Sequence, residues 1–164
     1  MLVEEKFPDG VTTGYESPVE QLFIPLLRQA STYDVAVGYF TSGWLRDTAE
    51  GLAEFALGGG KCRWIVSPSL NKEDAEIIVD TIPLEGGAFN YRERQLFDTI
   101  KALQKDARAE LCVLIAAGVI DFRIAEPKDT ASQGMLHAKI GVAADISGNR
   151  VGFSGSYNLT ARAK

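Results

Sequence analysis

Residues 33–66, YDVAVGYFTSGWLRDTAEGLAEFALGGGKCRWIV, carry a strand, a helix and a second strand in one run. Tyr33 to Phe40 is rich in β-branched and aromatic residues, which suit a pleated, half-buried surface. Thr41 or Ser42 can then cap a helix from Trp44 to Leu57, because a short hydroxyl side chain accepts from the first free N–H groups. Gly58-Gly59-Gly60 ends that helix, since glycine tolerates the left-handed backbone of a helix C-terminus. Cys62 to Val66 is the next strand.

The same alternation extends outward. Ser17-Pro18-Val19-Glu20 places Ser at an N-cap, Pro at the first helical position and Glu three residues after the cap. The helix that follows turns Leu22, Phe23, Leu26 and Leu27 inward and is perturbed by Pro25. Downstream, Asn71 caps a short acidic helix ending before Pro83. A long helical stretch runs from Tyr91 to Ala117 with a break near Asp106, and Gly118 ends it. Val119 to Ala125 is a strand, and Glu126 to Gly134 is a polar connection. Leu136 to Ala143 and Arg150 to Ser154 read as an antiparallel pair joined around Asp145-Ile146-Ser147-Gly148-Asn149. Strand–helix alternation closed by a hairpin predicts an α/β fold: a sandwich with a mixed β-sheet flanked by helices, in a single domain over residues 1–164.

Composition narrows the function classes. At 164 residues, with 46% apolar and 24% charged residues, the chain has enough material for a full core and is not disordered. No apolar run approaches the roughly 20 residues that cross a bilayer, and Met1-Leu2-Val3-Glu4-Glu5 is no signal peptide, so a cytoplasmic protein without a membrane partner is expected. Cys62 and Cys112 form neither a disulfide framework nor a zinc knuckle. One histidine, His137, excludes a site built from several histidines of one chain. The net charge is −5, yet the last 31 residues hold Lys139, Arg150, Arg162 and Lys164 against Asp145 alone. A locally cationic segment on an acidic body is compatible with an anionic partner.

Three motif-like stretches are set aside. Gly58-Gly59-Gly60-Lys61-Cys62 follows a helix, has Phe55 where a phosphate loop has its first glycine, and carries Cys62 in place of Ser or Thr. Asn158-Leu159-Thr160 is a glycosylation sequon in a chain with no sign of secretion. The acidic helix around Glu73, Asp74 and Glu76 reads as a solvated face.

The chemistry concentrates in Leu136-His137-Ala138-Lys139-Ile140. In a strand, residues two apart share a side, so His137 and Lys139 are expected to project together, with Leu136, Ala138, Ile140 and Val142 packing into the core behind them. On the histidine side, Gly141 and Ala143 would leave room for a ligand. Fifteen residues on, Gly155-Ser156-Tyr157-Asn158-Leu159-Thr160 reads as a strand-to-helix turn offering a hydroxyl, an amide and oriented N–H groups. A hairpin would bring this turn beside His137 and Lys139, which together make an anion site.

His137-x-Lys139 followed by Gly155-Ser156-x-Asn158 resembles the HKD signature of the phospholipase D superfamily. That resemblance implies a phosphohistidine-forming nucleophile at His137 and phosphate contacts from Lys139, Asn158 and Gly155. Ser156 would support the site. The family's acid is expected four residues after Lys139, but Ala144 stands there and Asp145 is one place late. Asp145 either fills that structural role across a bulge or is only a turn residue. More weakly, Tyr33 to Phe40, Trp44 and Ser67-Pro68-Ser69-Leu70 resemble the phospholipase-D-like region near the N-terminus of bacterial helicase and restriction-type proteins.

The resemblance implies a nuclease-like phosphodiesterase acting on DNA, with neither metal nor other cofactor. The family mechanism uses two histidines and this chain has one, so a homodimer with a composite site is expected. It also implies that residues 1–164 are a fragment of a longer protein, with a helicase or motor domain elsewhere in it. The alternative is a non-catalytic DNA-binding or dimerisation module of such a protein.

Overall fold

The computed structural model describes residues 1–12, 15–68, 70, 72–81, 106–125, 128 and 135–160. The expected Asn71 cap, the helix end before Pro83, residues 91–105 of the long helical stretch, the connection before Met135 and any helix after Thr160 lie outside them.

The described elements are α1 (Ile24–Gln29), β1 (Thr32–Val37), α2 (Gly43–Leu57), β2 (Lys61–Val66), α3 (Lys72–Thr81), α4 (Ala107–Ala116), β3 (Ile120–Ile124), β4 (Lys139–Ala144) and β5 (Arg150–Ser154). The five strands form one mixed sheet in the order β3-β2-β1-β4-β5. β1, β2 and β3 run parallel, β4 is antiparallel to β1, and β5 is antiparallel to β4. The α/β class with a mixed sheet is as the sequence predicts.

Local chemistry explains the element ends. Ser17 Oγ accepts from Glu20 N–H at 3.3 Å, the expected cap. The next turn, Val19–Phe23, is a π-helix, with Ile24 N–H reaching Val19 O. A wide turn before Pro25 relieves the collision its ring would have with the carbonyl four residues back. α2 ends in a double bond pattern: Gly59 N–H donates to Ala56 O and Gly60 N–H to Phe55 O. Gly59 has φ 74°, the left-handed conformation that this cap requires. Asp106 caps α4, accepting from Arg108 and Ala109 N–H.

One face of the sheet builds the core. Tyr33, Val35 and Val37 of β1, Cys62, Trp64 and Val66 of β2, and Ile120 and Phe122 of β3 are buried against Phe23, Leu26, Leu27, Trp44, Leu52, Leu111 and Leu114 of the helical layer. Aromatic rings knit the two layers, with Trp44 edge-on to both Phe23 (5.6 Å) and Trp64 (5.4 Å). α1 and α2 cross at Gly51, where an added Cβ would stand 3.0 Å from Ile24 O.

The opposite face is open among the described residues. Ile65, Ile140 and Val142 are 40%, 51% and 47% exposed on it, beside an Arg63–Asp34 ion pair. The helices expected to flank the sheet cover one face only, among the described residues. No described helix is long and apolar enough to cross a membrane.

Candidate functional site

The site forms where β1 ends and β4 begins. β1 stops at Val37, three residues before the predicted end at Phe40, because Gly38 passes directly beneath the chain entering β4. A Cβ on Gly38 would lie 2.9 Å from Leu136 O and 3.3 Å from the His137 Cα. Only glycine allows that approach. Gly38 N–H donates to Ala138 O at 2.9 Å, so pairing persists one step beyond the ladder.

β4 begins at Lys139, so His137 lies in the segment leading into the strand rather than on it. His137 is exposed, whereas Lys139 is 8% exposed and donates from Nζ to the His137 carbonyl at 3.1 Å. The predicted sides of β4 are reversed. Lys139, Gly141 and Ala143 point to the core, and Ile140 and Val142 face outward. The small residues make room for a neighbour's ring instead of a ligand, since a Cβ on Gly141 would collide with the Phe153 ring. Phe153 stacks on Tyr33 at 6.3 Å and meets Phe23 edge-on at 5.3 Å.

Four contacts fix the turn after β5. Gly155 N–H donates to Lys139 O at 3.0 Å, and Thr41 N–H donates to Leu159 O at 2.9 Å. Leu159 bridges Phe40 and is fully buried. Asn158 Oδ1 accepts from Tyr39 N–H at 3.2 Å. Ser156 and Gly155 remain exposed.

Lys139 and Asn158 therefore each approach one backbone corner, Gly38-Tyr39. Lys139 Nζ lies 3.7 Å from the Gly38 Cβ position, and Asn158 Oδ1 sits on the Tyr39 amide. Backbone dimensions then hold the two polar groups within roughly 11 Å of each other. A phosphate with a hydrogen bond on each side spans roughly 8 Å. With Asn158 Oδ1 turned to the Tyr39 amide, its side-chain NH₂ is the half of the amide that can donate to an anion. The sequence reading missed Gly38 and Tyr39. The signal was the glycine interrupting the alternation of Tyr33 to Phe40, which marks close backbone approach.

Asp145 stands at the far end of β4. Its carboxylate accepts from the Ser147, Asn149 and Leu2 N–H groups and from the Asn149 side chain. The Asn149 hydrogen bond, with those from the backbone, holds its pKa below the ordinary value despite an opposing cost of burial. The β1–β4 and β4–β5 registers run without interruption, so no bulge moves Asp145 into the position of Ala144. It is a turn residue that also ties down the N-terminus. Arg150, paired with Ala144, shares that distant end. Of the C-terminal basic residues described, Lys139 alone is at the corner.

No group of three or more His, Cys, Asp or Glu side chains among the described residues could hold a metal ion. No protein-family model matches the chain. No curated protein matches it either.

Proposed function

We propose that this chain is a phospholipase-D-like phosphodiesterase domain, nuclease-like in action on DNA and independent of metal. The observation that supports it is that Lys139 and Asn158 both reach the Gly38-Tyr39 corner, over which the His137 backbone passes. An ammonium and an amide donor at one corner suit a phosphodiester, and the ammonium contributes a charge-assisted contact. In this reading a His137 imidazole nitrogen attacks phosphorus and the phosphorus–oxygen bond to the leaving strand breaks. His137 of a second copy donates its proton to the departing oxygen. Water, deprotonated by that second imidazole, then cleaves the phosphorus–nitrogen bond and restores both groups. Lys139 and Asn158 carry the developing negative charge. The homodimer completes the site, and the domain serves a longer polypeptide with a motor or helicase part, in the cytoplasm.

A second reading, a DNA-binding or dimerisation module without catalysis, is favoured by the occupied Lys139 amine and by Ala144 in place of the family's acid. Cleavage of single-stranded and plasmid DNA by the full chain in excess chelator separates the two. The first reading expects cleavage that survives chelation and is lost in His137→Ala. Binding without cleavage supports the module. Cleavage abolished by chelation and restored by magnesium contradicts the first reading.

A further inference from the structure

A cleft of about 370 Å³ opens beside the corner, between the N-terminal segment Phe7–Val11 and the outer edge of β5. Lys139, Gly155 and Ser156 line it, so it adjoins the Lys139 ammonium assigned to phosphate, while His137 and Asn158 lie outside its lining. Phe7, Phe23, Phe153 and Tyr157 supply aromatic carbon to its walls, with Phe23 tilted against Tyr157 at 5.5 Å. Its lining contains two charged side chains, Lys139 and Asp9.

We infer that this cleft receives one unstacked nucleobase, so that the ligand is single-stranded DNA or a frayed strand end rather than an intact duplex. The inference rests on the phosphodiesterase reading and adds to it the form of the substrate. A phosphate at Lys139 has its sugar and base within one nucleotide's reach, and the cleft is the recess adjoining that position. Its volume is at the scale of a single small-molecule ligand. A paired base cannot enter such a recess without leaving its stack, which costs least in a strand that is already single. Aromatic walls favour a base through stacking, and stacking accepts any base because each has a π-face. Asp9 and the Ser154 and Ser156 hydroxyls can accept from an exocyclic amine, the donor that cytosine and adenine present. A bare phosphate or phospholipid headgroup makes no use of the aromatic carbon in the cleft walls.

The test compares fluorescent single-stranded hexanucleotides of cytidine, the same backbone with abasic sites, and a blunt duplex. Binding is read by anisotropy in the full chain carrying His137→Ala, which prevents turnover while Lys139 and Asn158 remain. The inference expects the abasic strand and the duplex to bind about ten-fold or more weakly than the intact strand. It also expects Phe7→Ala to remove most of the difference between intact and abasic strands. Equal affinity for intact and abasic strands, both weakened by Lys139→Ala, would overturn the base site while leaving the phosphodiesterase reading in place. Binding to none of the three, or binding insensitive to Lys139→Ala, would overturn both. The intact-versus-abasic comparison needs no substitution in the cleft, so it decides the matter even if Phe7→Ala impairs folding.

Discussion

Gly38→Ala tests the corner without touching a polar side chain. The added methyl would meet Leu136 O at 2.9 Å and the His137 Cα at 3.3 Å, both backbone atoms. The first contact is about 0.5 Å or more inside an ordinary carbon contact, so the chain entering β4 must lift away. Overpacking of this kind costs about 1–3 kcal/mol. Against it, alanine restricts the unfolded chain and returns about 0.4–1 kcal/mol. The clash wins because a hydrogen-bonded backbone, unlike a flexible side chain, cannot rotate aside. The net loss of about 1–2 kcal/mol lowers Tm by roughly 2–8 °C for a chain of this size. Thermal unfolding followed by tryptophan fluorescence reads it well, since Trp44 and Trp64 are fully buried. Gly58→Ala is the control, because its added Cβ meets nothing closer than 3.5 Å, its φ is −71° and it lies outside the cleft. DNA affinity should fall with Gly38→Ala as well, since Lys139 Nζ lies 3.7 Å from the new methyl. A Gly38→Ala protein as stable as the parent and binding DNA equally well would refute the close approach on which the corner depends.

Gly51→Leu should cost about 2–3 kcal/mol in urea unfolding, because Ile24 O and Leu27 Cβ at 3.0 and 3.2 Å leave no room at the α1–α2 crossing; a change under about 0.5 kcal/mol would show that the helices part freely. Glu110 is fully buried and its carboxyl oxygens have no hydrogen-bond partner among the described residues, so burial pushes its pKa up to about 8. The unfolded carboxyl titrates near 4.3, so this group's contribution is full below that pH and is lost as pH rises toward 8. Glu110→Gln should therefore raise Tm at pH 8–9 relative to the parent and flatten the slope between pH 5 and 8; parallel Tm–pH curves would contradict the burial. Asp145 has a depressed pKa, so its stabilisation is present above about pH 4 and is lost as pH falls further. Asp145→Ala should lower Tm at pH 7 and shrink the gap to the parent in acid, and an equal gap at pH 7 and pH 2.5 would show that its four hydrogen bonds do not need the charge.

The parts of the fold legible in the sequence were those fixed by local chemistry. The Gly58-Gly59-Gly60 cap and the Asp145–Asn149 turn are set by residues within a few positions of one another, and both form as read. The side of β4 was not legible. Ile140 and Val142 look like core residues, and Gly141 and Ala143 look like a cleared ligand site. The outcome is reversed because Phe153 from β5 lies over Gly141 and Tyr33 packs beyond it. That choice depends on rings from other strands, which the pattern within β4 does not contain. The open face of the sheet holds Ile65, Ile140 and Val142 with the Arg63–Asp34 pair, so apolarity alone could not separate the two sides. At the candidate site, the two-residue spacing from His137 singled out Lys139 and the Gly155-Ser156-x-Asn158 turn singled out Asn158. Their common anchor, the Gly38-Tyr39 backbone, was marked only by the glycine that interrupts the alternation of Tyr33 to Phe40, and a glycine signals a close approach without naming what approaches.

In the proposed reaction His137 forms a covalent bond to the phosphorus of DNA without metal. The direct measurement is to mix the full chain with DNA labelled at internal phosphates in excess chelator, quench with alkali during turnover, and look for labelled protein. The label should be stable in alkali and lost in acid, as a phosphorus–nitrogen bond requires, should map to His137, and should be absent from His137→Ala. DNA cleavage with no protein-bound phosphate under these conditions, or cleavage undiminished in His137→Ala, would contradict it.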